Sequence, residues 1–269
     1  MSQAQAPRAL SKVPRVTVYF WVIKILTTAM GESTSDYLVH RFNPYVAVIG
    51  GFFAFVVAIA IQFNVRMYIP WAYWLAVLMV AVFGTMAADV LHVEFAVPYL
   101  ASTILFAIAL TAVFVAWYRS ERTLSIHSIT TRRREAFYWA AVLATFAMGT
   151  AAGDLAAYTA HLGFLAAGLL FAVVFALPGI SYRSFGLNGI FAFWFGYVMT
   201  RPLGASFADW TGKSHRAGGI NIGDGPVAFV LAVVIVALVG YLSVTGIDRE
   251  TAASREWQGL EKAAEEASG

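Results

Sequence analysis

Eight apolar stretches, separated by short polar segments, follow one another along the chain. Most of them are 20 or more residues long, and a helix of that length crosses a hydrocarbon core of about 30 Å. None shows the alternation of apolar and polar residues that membrane strands require. The pattern therefore predicts an all-α membrane protein with eight transmembrane helices, at approximately 16–38, 45–65, 71–92, 96–118, 136–160, 162–181, 188–210 and 222–245.

The polar positions inside these stretches recur in a fixed order. Every odd-numbered stretch contains a tryptophan, a glycine ten residues later and an aspartate five residues after that. Four of the six aspartates in the chain occupy this one position. The pattern predicts four internal repeats, at about 16–66, 67–118, 134–182 and 188–245. The motif residues are Trp21, Gly31 and Asp36; Trp74, Gly84 and Asp89; Trp139, Gly149 and Asp154; and Trp194, Gly204 and Asp209.

Each repeat holds two stretches, so all repeats enter the membrane with the same polarity. Repeats of this kind are parallel and are related by an axis along the membrane normal. All four tryptophans are then expected on one side of the membrane. The four aspartates are expected on the other, about 22 Å further along an unbroken helix.

Composition supports the membrane class and narrows the chemistry. Apolar residues make up 60% of the chain and charged residues 12%, with a mean hydropathy of +0.71, whereas soluble domains carry roughly twice that charge. The chain has no cysteine, which excludes disulfides, thiolate metal sites and cysteine nucleophiles. It has no phosphate-binding loop, no His-Glu-x-x-His and no nucleophile elbow. We therefore expect neither an enzyme nor a nucleic-acid-binding protein.

The basic residues predict the orientation. Thirteen of the eighteen lysines and arginines lie in 1–15, 66–70, 119–135, 182–187 and 246–269, and three lie on the opposite side. The positive-inside rule then places both termini in the cytoplasm. We expect a multi-pass inner-membrane protein with a cytoplasmic N-terminal segment (1–15), one transmembrane domain (16–245) and a cytoplasmic tail (246–269).

Carboxylates inside the predicted spans are the first candidates for function. Each costs about 2.5 to 3.5 kcal/mol in the bilayer core when it is charged and unpaired, so each must be protonated, paired, hydrated or bound to a cation. Capping of helix ends is the structural alternative. Glu32 stands four residues before Asp36 and shares its helix face. Thr85 and Thr150 follow the motif glycines of repeats two and three and add hydroxyl oxygens.

Two bases inside the spans break the fourfold pattern. Lys24 and Arg201 each stand eight residues before an acid, Glu32 and Asp209 respectively. We interpret them as counter-charges that pair with carboxylates across the bundle. Such pairs either hold the structure together or compete with a substrate cation.

The motif glycines and tryptophans each have more than one explanation. The glycines provide close helix packing or mark a helix break that exposes carbonyls to an ion, and Pro202 favours a break in the fourth repeat. The sequence leaves open whether the Gly-x4-Asp segments are helical or unwound. The tryptophans suit an interfacial belt, core packing or a cation–π site.

The spacing Trp-x9-Gly-x4-Asp in four tandem two-span copies resembles a bacterial integral membrane family described as a repeat of unknown function. The resemblance covers residues 16 to about 245. It implies the architecture of parallel two-helix repeats and no particular activity.

We expect a secondary transporter or exchanger of a cation. Oxygen ligands without cysteine favour a hard divalent ion or a proton, and the absence of a nucleotide-binding motif favours coupling to a gradient. The alternative is a membrane-anchored structural or regulatory protein without transport. The expected partners are the lipid bilayer and a small cation. No cofactor is expected beyond a divalent cation bound as substrate. The sequence does not determine whether the protein forms a homo-oligomer. The candidate ion or metal ligands are Glu32, Asp36, Asp89, Asp154 and Asp209.

Overall fold

The computed structural model describes residues 11–249, and this part of the chain contains eight α-helices and no strand. The helices begin and end within a few residues of the predicted stretches. Side chains cap four of their N-termini, as the Asn43 carboxamide does for α2. The helices are α1 (Val18–Arg41), α2 (Pro44–Asn64), α3 (Pro70–Val93), α4 (Tyr99–Glu121), α5 (Arg132–Asp154), α6 (Gly163–Phe185), α7 (Gly189–Gly212) and α8 (Asp224–Thr245).

Six of these helices are long and apolar enough to cross a membrane, and α1 and α7 are not among them. For residues 11–249 the all-α class with eight helices is thereby confirmed, and six of the eight have the length and hydropathy expected of membrane spans. The two exceptions are the helices that carry Lys24, Glu32 and Arg201. Their charged residues lower the hydropathy but are buried inside the protein.

The first helices of the four repeats form a central ring. Helix α1 packs against α3, α3 against α5, α5 against α7, and α7 against α1. The second helices lie outside the ring, where α2 packs mainly on α3, α4 on α5, α6 on α7 and α8 on α1. The second helix of each repeat thus supports the first helix of the next repeat, and the last repeat closes onto the first.

The tryptophans pack between neighbouring repeats at one end of the ring. The residue before each motif tryptophan contacts the tryptophan of the next repeat, with ring centroids 5.6 to 6.0 Å apart. Because this contact repeats around the ring, the four helices run parallel to one another. Of the predicted roles for the tryptophans, the structure supports core packing. We call this end the tryptophan end. The four pairs are Phe20 with Trp74 at 5.6 Å, Tyr73 with Trp139 at 5.7 Å, Tyr138 with Trp194 at 6.0 Å and Phe193 with Trp21 at 5.6 Å.

The motif glycines let the ring helices approach closely. A β-carbon on each glycine would collide with the residue three positions before the motif glycine of the next repeat. All four ring helices are continuous through the Gly-x4-Asp segment, including the turn that contains Pro202. The glycines therefore serve packing, and the predicted alternative of a helix break is wrong. The distances from the added β-carbon are 2.4 Å to Ala81 from Gly31, 3.0 Å to Phe146 from Gly84, 2.5 Å to Arg201 from Gly149 and 2.0 Å to Thr28 from Gly204.

The two ends of the described chain meet at the tryptophan end. The backbone N–H of Arg15, just before α1, donates to the carbonyl of Asp248, just after α8, at 2.9 Å. The predicted cytoplasmic segments extend beyond this contact. Their outer parts, residues 1–10 and 250–269, lie outside the described residues.

Candidate functional site

Residues at every fourth position of the ring helices are buried between the four helices and form layers across the ring. Counted from the motif glycine, the layers lie seven and three residues before it and one and five residues after it. No residue in the first three layers is more than 6% exposed. From the tryptophan end these layers are Lys24, Val77, Val142 and Tyr197; Thr28, Ala81, Phe146 and Arg201; and Glu32, Thr85, Thr150 and Ala205.

Arg201 connects all four repeats at the centre of the ring. Its Nη2 donates to the carboxylate of Glu32, to Thr85 Oγ1 at 2.6 Å and to Thr150 Oγ1 at 2.8 Å. The two threonine hydroxyls accept these bonds because each donates its own hydrogen to the carbonyl four residues earlier in its helix, at 2.9 Å. The guanidinium of the fourth repeat thus binds the residue that follows the motif glycine in each of the other three. Its carboxylate partner is Glu32 of the first repeat, and not Asp209 of its own helix.

Lys24 lies one layer closer to the tryptophan end and is fully buried. Its ammonium makes no hydrogen bond with a residue in the described part of the chain. It lies 4.0 Å from the ring centroid of Phe146 and 4.3 Å from that of Tyr197, which is cation–π geometry. The carboxylate partner that we expected for Lys24 is absent among residues 11–249, and aromatic faces take its place.

The four motif aspartates lie at the opposite end of the ring, which we call the aspartate end. Oxygen atoms of Glu32, Asp36 and Asp209 lie within 4.8 Å of one another. Asp89 and Asp154 are half-buried, and neither makes a side-chain hydrogen bond or ion pair with any residue the structure describes. Both are close enough to Glu32 and Asp36 to interact with them electrostatically. The structure therefore brings Glu32, Asp36 and Asp209 together, and it leaves Asp89 and Asp154 at the same end of the ring without a partner among the described residues.

Lys213, one of the three bases on the side of the membrane opposite the termini in the predicted topology, lies among these carboxylates. The Nζ of Lys213 bonds to the carboxylate of Asp36 and lies 3.8 Å from Asp209 and 3.9 Å from Asp224. Lys213 is the C-cap residue of α7, and the loop after it folds back, since the N–H of Ile220 donates to the carbonyl of Trp210 at 2.8 Å. The only signal in the sequence is that Lys213 stands four residues after Asp209.

The carboxylates keep Lys213 charged. Burial by itself would lower the pKa of the ammonium, but the negative charges of Asp36, Asp209 and Asp224 outweigh it and raise the pKa above its usual range. Since a raised pKa keeps the proton bound at neutral pH, the ammonium of Lys213 stays positively charged among the carboxylates.

The arrangement suits a hard cation. Oxygen ligands of Ca²⁺ lie about 2.3 to 2.6 Å from the ion, so two ligands on opposite sides of an ion are roughly 5 Å apart. The three carboxylates of Glu32, Asp36 and Asp209, within 4.8 Å of one another, meet this spacing. The ammonium of Lys213 supplies the positive charge in the same place.

Comparison with known proteins identifies the repeat. One family model matches the chain four times in tandem, over residues 19–68, 72–123, 137–184 and 192–248. No curated protein and no solved structure gives a match. The four matched segments each contain one copy of the Trp-x9-Gly-x4-Asp motif. The chain therefore belongs to the family described as Repeat of Unknown Function (DUF347), of which it carries four tandem repeats.

Proposed function

We propose that this protein is a secondary transporter or exchanger of a small cation, which binds among the carboxylates of the aspartate end. One observation carries the proposal. Each of the four repeats contributes one aspartate to the same end of the ring, and Asp89 and Asp154 have no ion-pair partner among residues 11–249. A purely structural acid in an apolar protein needs a partner or a proton. Two partly buried acids without a partner suit the reversible binding of an ion.

All eight helices cross the membrane in this proposal. Helices α1 and α7 are less apolar than the others, but their charges face the interior of the bundle, where Arg201 pairs with Glu32. The outer helices α8 and α6 pack on these two helices. Charged side chains inside a membrane protein are tolerated when they face the bundle and pair with one another. The distribution of basic residues then places the tryptophan end in the cytoplasm and the aspartate end outside the inner membrane.

The cation is a hard ion, such as Mg²⁺, Ca²⁺ or Mn²⁺, or it is exchanged for a proton. Every candidate ligand is an oxygen atom, and the chain has no cysteine; soft metals prefer sulfur. Lys213 and Arg201 balance part of the acidic charge when no ion is bound. An incoming ion displaces Lys213 from Asp36.

The test is ion flux into liposomes that contain the purified protein. Mn²⁺, Ca²⁺ and Mg²⁺ are each tested with and without a proton gradient, and the wild-type protein should transport at least one of them. Asp89→Asn and Asp154→Asn should each lose most of this flux. Glu94→Gln is the matched control, because Glu94 is an exposed acid that follows Asp89 by five residues at the same end of α3. Equal flux in all three variants, or no flux of any cation through a folded wild-type protein, would refute transport.

The alternative is a membrane-anchored structural or regulatory protein. The observation in its favour is the close packing of the ring, where each glycine position lacks room for a β-carbon and the tryptophan end is filled by aromatic rings. A folded wild-type protein that moves no ion while all acid-to-amide variants keep its stability would support this alternative.

A further inference from the structure

Residues 11–15, which we call the N-terminal strap, cross the tryptophan end of the ring. The backbone of the strap pairs with the segments just before α3 and α5 and just after α8. Residues Ser11, Lys12 and Val13 are 4 to 6% exposed. Three backbone hydrogen bonds hold the strap: Tyr68 N–H to Ser11 O at 3.1 Å, Lys12 N–H to Ile129 O at 3.0 Å and Arg15 N–H to Asp248 O at 2.9 Å.

A buried ion pair fastens the middle of the strap. The ammonium of Lys12 binds the carboxylate of Glu135 in the first turn of α5 and also donates to the carbonyl of Phe63 at the end of α2, at 3.3 Å. The Gln62 carboxamide donates to the other oxygen of Glu135 at 3.3 Å. Glu135 is only 1% exposed. The strap therefore contacts residues of the first three repeats and, through Asp248, the segment that follows the fourth.

The strap and an aromatic layer close the tryptophan end. The hydroxyl groups of Tyr73 and Tyr138, both buried, hydrogen-bond to each other beside the motif tryptophans. At the other end, the carboxylates of Asp36, Asp89 and Asp154 are only half-buried. The ring is thus accessible at the aspartate end and closed at the tryptophan end. An alternating-access transporter must also have a state in which this accessibility is reversed.

The strap is the part of the closed end that can move without disrupting the ring. The ring helices are held by glycine contacts in which a β-carbon has no room. The strap is extended chain, attached by three backbone hydrogen bonds, the Lys12–Glu135 ion pair, two further hydrogen bonds of Lys12 with Phe63 and Gln62, and the side chain of Val13. We propose that the strap is the inner gate of the transporter, held shut by the Lys12–Glu135 ion pair, and that it leaves the end of the ring in the state that releases the cation to the cytoplasm.

This inference rests on the proposed function, and its test uses a readout other than flux. The chain contains no cysteine, so Val13→Cys places a single thiol under the strap. In purified protein in detergent, reaction of this thiol with a maleimide should be slow without ions. Glu135→Gln leaves the buried Lys12 ammonium without a counter-charge, which destabilises the closed position of the strap. We therefore expect the thiol to react with the maleimide at least about tenfold faster in this variant. Saturating Mn²⁺ should also speed the maleimide reaction in the Val13→Cys protein. In the proposed cycle the ion favours the inward-open state, and a ligand shifts the population toward the state that it binds better.

The matched control is Glu121→Gln in the Val13→Cys background. Like Glu135, Glu121 forms an ion pair at the tryptophan end, but its partner is Arg134, at 2.8 Å, and the pair does not include the strap. This variant should leave the thiol as unreactive as before. Where Glu135→Gln fails to fold, Lys12→Gln removes the other partner of the same pair, and Ser11→Cys replaces Val13→Cys as the reporter.

Labelling that stays slow with Glu135→Gln and with Mn²⁺, in a protein that transports, means that the strap is a permanent seal, and the gate proposal fails alone. If labelling becomes faster with Glu135→Gln but the protein transports no cation, the strap opens and the proposed transport function is wrong. The gate proposal then fails as well, because it rests on transport. Labelling that responds to both in a protein that transports supports both.

Discussion

Arg201 and Glu32 form a buried ion pair that joins the fourth repeat to the first across the centre of the ring. The same guanidinium group binds one threonine in each of the two remaining repeats. The pair therefore lies where all four repeats meet, between the acids of the aspartate end and the closed tryptophan end.

Loss of the carboxylate at this position should destabilise the protein. In Glu32→Gln the guanidinium of Arg201 stays buried without a counter-charge, and such losses typically cost about 3 to 5 kcal/mol. We expect a clearly lower melting temperature, followed by tryptophan fluorescence in detergent. Glu94→Gln, which alters an exposed acid, should melt like the wild type. A Glu32→Gln protein as stable as the wild type would mean that the pair contributes nothing to folding.

Removal of the lysine among the carboxylates should tighten cation binding. Lys213→Gln takes away the ammonium that binds Asp36 and lies 3.8 Å from Asp209. Because that ammonium competes for the same oxygens, we expect Mn²⁺ affinity to rise on the order of tenfold, which corresponds to about 1.4 kcal/mol. Isothermal titration calorimetry of the detergent-purified protein measures it.

Arg216→Gln is the control for this change, since Arg216 is an exposed base in the same loop without an ion pair to the carboxylates. Its affinity for Mn²⁺ should stay near that of the wild type. Unchanged or weaker binding in Lys213→Gln would show that the ammonium does not compete with the ion.

A methyl group at a motif glycine should disturb the ring. In Gly149→Ala the new β-carbon would lie 2.5 Å from Cγ of Arg201, and overpacking of this kind costs typically about 1 to 3 kcal/mol. Gly50→Ala is the matched control, because no atom lies within 4 Å of the corresponding β-carbon in α2. We expect a lower melting temperature only for Gly149→Ala; equal melting of the two variants would contradict the close contact.

The orientation in the membrane can be tested with single cysteines. Ser125 lies at the tryptophan end and Ser214 in the loop at the aspartate end. In intact cells, Ser214→Cys should react with a membrane-impermeant thiol reagent, and Ser125→Cys should react only after the cells are opened. The reverse result would place the aspartate end in the cytoplasm.

Much of the architecture follows from the sequence, because length and apolar character determine helices directly. The repeat is visible because Trp, Gly and Asp keep one spacing in all four copies. The packing role of Gly31 and its equivalents was one of two alternatives until the contact with Ala81 decided it.

The pairing of charges could not be predicted in the same way. The sequence predicts that Arg201 pairs with a carboxylate across the bundle, but it does not say which one. The choice of Glu32 depends on how the helices are rotated and ordered around the ring. Lys213 and Lys12 were assigned to polar segments outside the spans, since no pattern indicates that a loop folds back or that a segment crosses the end of a bundle. Lys24 has aromatic neighbours from two other helices, Phe146 and Tyr197, and a sequence does not reveal such contacts across a bundle.

The hydrogen bond between Arg15 and Asp248 shows that the end of the last helix returns to the start of the first, at 2.9 Å. Every repeat therefore packs between two neighbouring repeats, and no repeat has a free outer face in the ring. The order in which the chain visits the four repeats is therefore a matter of connectivity alone. Joining the chain near Arg15 to the chain near Asp248 by a short linker and cutting between α2 and α3 would give a circular permutant that keeps the interfaces of the ring. A chain with three or five such repeats would need a different angle between neighbouring helices to close the ring.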